Sequence, residues 1–189
     1  MIILMNILII DNGSKHITEI VSCFKGHEVK VLKYRRHSNL DREWADLFLL
    51  SGGNKPVLFK QFFRKELKLI QETNKPLIGI CLGFELIAEA YGAKLKRHKI
   101  KIRGIKEIKV VPEYFGFEST VLYEVFEAHR WVLTDKSNFE IVGTSNRGPE
   151  IIKHPSRRIM GLQFHPEITV PINDGQLLLN RSIQLLTQE

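Results

Sequence analysis

Apolar residues along the first half of the chain fall into short unbroken runs separated by stretches with helical spacing. Residues 7–11 read as a strand, Asn12, Gly13 and Ser14 as a turn, and residues 17–24 as a helix. Residues 28–32 form a second predicted strand, and Leu47–Leu50 a third, ended by Ser51, Gly52 and Gly53. Between 56 and 71, Phe59, Phe62, Phe63, Leu67 and Ile70 recur at helical spacing behind Pro56, which predicts a helix with the phenylalanines on its core face. Leu77–Ile80 is a fourth strand, and residues 84–91 its following helix, stopped by Gly92. Strands this uniformly apolar, alternating with helices, predict an α/β fold with an open, mostly parallel central sheet and helices on both faces.

After about Ala93 the alternation ends. Strand-like runs at 100–111, 121–128, 139–144, 150–153 and 159–164 predict a small antiparallel subsheet or edge, and Gly175–Thr187 a closing helix. Lys99, Lys101 and Arg103 alternate with Ile100 and Ile102, the pattern of a strand with one wet face. No repeat, low-complexity tract or linker divides the chain, so a single domain over residues 1–189 is expected.

The fourth strand ends in Gly79-Ile80-Cys81-Leu82-Gly83 and a helix follows. Strand, G-x-C-x-G, helix is the layout of a nucleophile elbow, in which flanking glycines relieve a crowded turn. The turn lifts the Cys81 sulfur above the carboxyl end of the sheet, where open α/β folds bind ligands. The helix start points N–H groups at the site and favours a thiolate. Of the seven histidines, His27, His37 and His98 sit among charges or turns and read as surface residues. His165 ends an apolar run in "MGLQFHPEI", and Pro166 biases it toward extended structure. In an extended chain Glu167 points to the same side, so it can orient the imidazole, which completes the logic of a catalytic triad. An oxyanion hole can draw one N–H from Leu82 and another from the Gly52–Gly53 turn, where glycine admits close approach. Cys23 lies in a predicted helix without flanking glycines and is assigned no role.

Two cysteines among 189 residues make no disulfide framework, and a reducing cytoplasm is the expected setting. The apolar N-terminus is short and lacks a basic leader, so no signal peptide or membrane span is expected. The net charge is +7, with basic residues concentrated in 94–109, but no aromatic residues interleave there to stack bases. A solvated lysine-rich face, or a docking surface for an acidic protein, is expected, and no nucleic acid. Neither a phosphate-binding G-x-x-x-x-G-K-[ST] loop nor C-x-x-C or H-x-x-x-H zinc spacing occurs. The chain is therefore expected to hold no metal and no cofactor, and to leave any ATP-dependent step to a separate protein.

"GICLGFE" together with "GLQFHPE" resembles the class I glutamine amidotransferases, which share a Cys-His-Glu triad, and the resemblance runs through nearly the whole chain. "ILIIDNGS" and "LLSGG" resemble the GMP synthase branch, and "FEAHRWVL" resembles the family's Ser-His loop lining the glutamine pocket. The resemblance implies a flavodoxin-like fold and hydrolysis of L-glutamine to glutamate and ammonia through a thioester on Cys81. It makes Cys81, His165 and Glu167 catalytic, and Gly53 and Leu82 the oxyanion hole. Gly52, Gly53, Glu85, His129 and Arg130 are its substrate-binding residues. It further implies a separate ATP-pyrophosphatase synthetase, carrying ATP and Mg²⁺, that adds the ammonia to XMP. The family's pattern is broken in places. Phe84 and Glu85 replace a His or Met followed by Gln, Asn54 and Lys55 follow the two glycines where a proline is usual, and Ala128 precedes the pocket histidine. The alternatives are a free-standing γ-glutamyl amide hydrolase, or an amidotransferase component for another acceptor of the anthranilate or aminobenzoate type.

Overall fold

The computed structural model describes residues 4–116, 121–135 and 138–188. Its strands are β1 (Asn6–Asp11), β2 (Glu28–Lys33), β3 (Leu47–Leu50), β4 (Leu77–Ile80), β5 (Leu95–Arg97), β6 (Gly104–Val110), β7 (Val121–Glu127), β8 (Trp131–Leu133), β9 (Glu140–Ser145), β10 (Gly148–Lys153) and β11 (Ile159–Leu162). Its helices are α1 (Ile17–Ser22), α2 (Asn39–Trp44), α3 (Arg64–Glu72), α4 (Leu82–Ala90) and α5 (Gly175–Thr187). One sheet runs in the order β2-β1-β3-β4-β11-β10-β9-β6-β7. The first five strands pair in parallel and the last four join antiparallel, so the predicted mixed architecture is what forms. β5 and β8 make a separate two-stranded ribbon.

β3, β4 and β11 are buried along their whole length because both faces are covered. On one face Ile7, Ile9, Leu47 and Ile78 pack with Ile20 and Phe24, from in and just after α1, and with Leu178 and Leu186 of α5. On the other, Leu8, Ile10, Phe48 and Leu50 pack with Leu69 and Ile70 of α3 and Leu86 and Ile87 of α4. Among the described residues no helix is long and apolar enough to cross a membrane.

Several segments depart from the sequence expectation. The helix predicted over 56–71 is a short 3-10 turn at Lys60–Phe62 followed by α3. Only Phe63 of its phenylalanine trio is core; Phe59 is 47% exposed, and Phe62 lies beneath Lys55, whose Nζ is 4.2 Å from the ring centre. The strand predicted from 100 starts instead at Gly104, whose φ of 102° breaks extension. Residues ahead of it are drawn away as coil, with the His98 and Ile102 N–H groups donating to the Arg130 and His129 carbonyls. Helix α2 is not foreshadowed by the apolar pattern, yet it has a capping box: the Ser38 hydroxyl accepts from the Asp41 N–H and the Asp41 carboxylate accepts from the Ser38 N–H. His37, read as a surface residue, is buried, with Nε2 3.7 Å from a carboxylate oxygen of buried Glu66.

Candidate active site

The carboxyl ends of β1, β3, β4 and β11 meet at one point of the sheet. Cys81 follows β4 directly and α4 begins at the next residue. Its backbone has φ 51° and ψ −99°, and Arg35 is the other described non-glycine residue with positive φ. Such a conformation costs about 1–3 kcal/mol and persists only where neighbours enforce it. Here the Cys81 N–H donates to the Leu162 carbonyl at 2.8 Å, tying the turn to β11. The flanking glycines have steric reasons. A Cβ on Gly79 would sit 2.4 Å from the Gly83 backbone, and one on Gly83 would sit 2.4 Å from the Leu50 carbonyl oxygen. The elbow is thus a place where three backbone segments touch. Leu82 is the first residue of α4, and its N–H has no partner within the helix.

The Ser51–Gly53 turn lies against this elbow. A Cβ on Gly52 would meet His165 Cε1 at 3.2 Å and the Cys81 Cβ at 3.6 Å. A Cβ on Gly53 would collide with the Asn12 carbonyl and the Leu82 side chain. Asn12 fixes the turn: its backbone N–H donates to Ser51 Oγ at 2.9 Å, and its Nδ2 donates to the Ser51 carbonyl at 2.9 Å. Nothing in the sequence singles out Asn12 and Ser51, which look like ordinary turn residues.

β11 stops at Leu162, earlier than expected, and His165 and Glu167 stand in the turn beyond it. Their pairing comes from this turn and not from an extended strand, with the Ile168 N–H closing back on the His165 carbonyl. His165 Nδ1 lies 2.8 Å from Glu167 Oε1, which leaves Nε2 to take a proton. Burial disfavours a charged imidazole, but the Cys81 sulfur and the Glu167 carboxylate outweigh it and push the His165 pKa up to about 10. Burial, helped by the negative charge of Glu167, pushes Cys23 up to about 11.

Glu85 lies one turn into α4, 4% exposed, with its N–H donating to the Cys81 carbonyl. Burial pushes its carboxyl up to about 8, against the opposing pull of Gln163 and the charge of His165. Below that pH it is a neutral acid, offering one O–H donor and one C=O acceptor, the same two functions as a glutamine amide. Gln163 is buried beside it, with neither amide atom completing a well-formed hydrogen bond. The sequence offers no reason to single out Gln163.

The sign of the Glu85 effect on stability follows from linkage. The folded state keeps the proton to higher pH than the unfolded chain, so this stabilisation is full below about pH 4.5 and is lost as pH rises through about 8. Glu85→Gln is therefore expected to match the parent in thermal unfolding near pH 4.5, to gain over it steadily up to about pH 8 and to hold that gain above it. Parallel unfolding curves across that range would contradict the assignment.

The two remaining predicted pocket residues find partners elsewhere. His129 is buried, its Nδ1 2.8 Å from the Trp131 carbonyl and its Nε2 3.4 Å from Glu127 Oε2. The Arg130 guanidinium donates to the Lys99 carbonyl at 2.7 Å.

The profile of the family "Glutamine amidotransferase class-I" matches residues 8–185. A glutamine-hydrolyzing GMP synthase of Wolbachia is 33% identical over 147 residues, which is 70% of this chain but 28% of that protein. A glutamine-hydrolyzing GMP synthase subunit from Pyrococcus furiosus is 27% identical, with 92% of this chain and 95% of that protein covered. A crystal structure from Thermoplasma acidophilum, described as a GMP synthase subunit protein, superposes with a TM-score of 0.85 at 22% identity, covering 100% of this chain and 96% of the other. At that identity the superposition speaks for the fold. The profile match over nearly the whole chain settles the family: the protein belongs to the class I glutamine amidotransferases.

Proposed function

We propose that the chain is a single glutaminase domain that hydrolyses L-glutamine to glutamate and ammonia and passes the ammonia to a separate ATP-dependent synthetase. The observation that carries the reading is Cys81 at the strained elbow, with His165 beside it across Gly52 and buried Glu167 2.8 Å from the far ring nitrogen. In this scheme His165 takes the thiol proton and Cys81 Sγ attacks the side-chain amide carbon of glutamine. The carbonyl electrons move onto oxygen, where the N–H groups of Leu82 and Gly53 receive the charge. Collapse expels the nitrogen, which takes the proton from His165 and leaves as ammonia. Water then attacks the thioester, again giving its proton to His165, and that proton returns to sulfur as glutamate departs. Glu167 keeps the ring oriented and balances its charge. None of these steps calls on a cofactor.

Gly52 and Glu85 border the substrate. An ammonium brought beside Glu85 favours its ionised form, so the α-amino group of glutamine would draw a proton out of this carboxyl as it binds. Glu85→Gln should then be tolerated, because an amide oxygen still accepts the hydrogen bond. Glu85→Lys should raise KM by at least about tenfold through like-charge repulsion. Steady-state kinetics separate the two, and a lysine variant with unchanged KM would place Glu85 outside the substrate pocket.

The acceptor proposed is XMP activated by an ATP-pyrophosphatase partner protein, with ATP and Mg²⁺ on that partner and GMP as product, in the cytoplasm. The names of the relatives support this choice. Segments near the site expose apolar side chains suited to docking: Leu58 is 55% exposed, Ile100 81% and Ile172 91%. Lys99, Lys101 and Arg103 around Ile100 suit an acidic partner. The test is kcat for glutamine hydrolysis alone, then with such a partner, ATP, Mg²⁺ and XMP. Stimulation of about tenfold, equal to about 1.4 kcal/mol of coupling, together with GMP formation, is expected. Fast hydrolysis unchanged by that partner would favour the free γ-glutamyl hydrolase.

A further inference from the structure

Behind the His165 segment lies a second cluster that the proposed hydrolysis does not use. Glu127 ends β7, His129 follows two residues later, and Glu150 lies within β10. All three are buried, at 0%, 3% and 1% exposure. Among the described residues no lysine or arginine forms an ion pair with either carboxylate, and Arg147 acts on Glu150 from beyond salt-bridge distance.

Two of the three side chains are tied back by one atom, so that the other points inward. The Trp131 carbonyl can only accept, so His129 Nδ1 carries a proton and donates to it at 2.8 Å. In the neutral ring Nε2 is then an unprotonated acceptor, 3.4 Å from Glu127 Oε2. The Ser145 hydroxyl donates to Glu150 Oε1 at 2.7 Å. Among the described residues, four buried atoms of the cluster have no hydrogen-bond partner: His129 Nε2, Glu150 Oε2 and both carboxylate oxygens of Glu127. Donor atoms taken one from each residue lie within 4.8 Å of one another. Acceptors turned on each other in a dry interior repel unless one holds a proton, which burial and the Glu127 charge favour on Glu150, and burying such charges without a counterion is costly. A cation among them removes the conflict.

We propose that Glu127, His129 and Glu150 hold one divalent cation of the zinc class. A tetrahedral site with metal–ligand bonds of about 2.1 Å sets its donor atoms about 3.4 Å apart, the separation found between His129 Nε2 and Glu127 Oε2. His129 Nε2, Glu150 Oε2 and one oxygen of Glu127 supply three donors, and a water would complete the tetrahedron. Two carboxylates neutralise the charge, and an imidazole–carboxylate set suits Zn²⁺, Co²⁺ or Mn²⁺ over Cu(I). The bonds from His129 to Trp131 and from Ser145 to Glu150 are the outer support that metal ligands typically carry. The role is structural. The Phe126 carbonyl accepts from the His165 N–H at 2.8 Å, and the Glu150 carbonyl accepts from the Gln163 N–H at 2.8 Å. The cation would lock together the two strands that hold the His165 segment in place.

The test uses the full chain carrying Cys81→Ser, so that a metal cannot lodge on that thiol. After chelator treatment the protein is titrated with Zn²⁺, and separately with Co²⁺. One equivalent bound per chain, a metal-dependent rise in unfolding temperature and the intense visible absorption of tetrahedral cobalt are expected. Glu127→Gln and Glu150→Gln should each weaken binding by at least about tenfold. If those variants fail to fold, the cobalt spectrum of the Cys81→Ser chain still decides. Binding that is absent, or that survives both substitutions, overturns the site, as does a nitrogen NMR spectrum showing both His129 ring nitrogens protonated in protein exposed to zinc.

Discussion

Replacing Cys81 with alanine is expected to lower glutamine hydrolysis by at least about 10⁴-fold while leaving the unfolding temperature close to that of the parent. The argument begins with the backbone. The elbow is held by Gly79 against Gly83, Gly83 against Leu50, and the Cys81 N–H on Leu162, and none of these contacts involves the sulfur. Alanine keeps the Cβ that already tolerates φ 51°, so the turn survives and only the nucleophile is lost. The residual rate reports what the oxyanion donors and substrate positioning achieve alone. Cys23→Ala should change neither quantity, since that thiol, raised to about 11, has almost no thiolate at neutral pH. A Cys81→Ala enzyme retaining more than a few per cent of activity would remove the nucleophile from its assigned place.

His165→Ala is expected to be nearly as damaging, and Glu167→Gln less so. His165 both takes and returns the proton in each half of the reaction, and no neighbouring group substitutes for it. Glu167 acts through the ring: its Oε1 holds Nδ1 at 2.8 Å and its charge is among the causes that raise His165 to about 10. A glutamine there keeps a hydrogen bond but loses the charge, and losses from such changes run up to about 10⁴-fold. Single-turnover formation of the acyl-enzyme separates the two roles. In Glu167→Gln the step should slow and its alkaline pH limb should move to lower pH, because the imidazolium loses its counter-charge. In His165→Ala the step should be undetectable on the same timescale. Equal losses with unshifted pH profiles would mean that Glu167 only packs.

What the sequence made legible was whatever short-range steric demands write into it. Gly79 and Gly83 are glycines because backbone crosses backbone there, so G-x-C-x-G betrayed the elbow and its nucleophile. His165 and Glu167 lie within one turn, so a local spacing revealed the pair even though the expected extended geometry was replaced by a turn. The parallel half of the sheet was readable from its unbroken apolar runs. Long-range placement was not. The alternation around Lys99–Arg103 looks like a strand, but hydrogen bonds to the 129–130 loop pull the segment into coil. Nothing near Asn12 announces that it locks Ser51, and nothing near His37 announces that it meets Glu66, because each partner lies on a different element. Glu127 and Glu150 face one another only after the antiparallel strands have folded between them.

Trapping the intermediate tests the central claim most directly. Acid quenching during the first turnovers with glutamine, followed by digestion and mass spectrometry, should find one γ-glutamyl group on the peptide containing Cys81. The adduct should accumulate when water attack is slowed and should be absent in Cys81→Ala. A protein that turns over glutamine with no adduct at Cys81, or with the adduct on Cys23, would contradict the account.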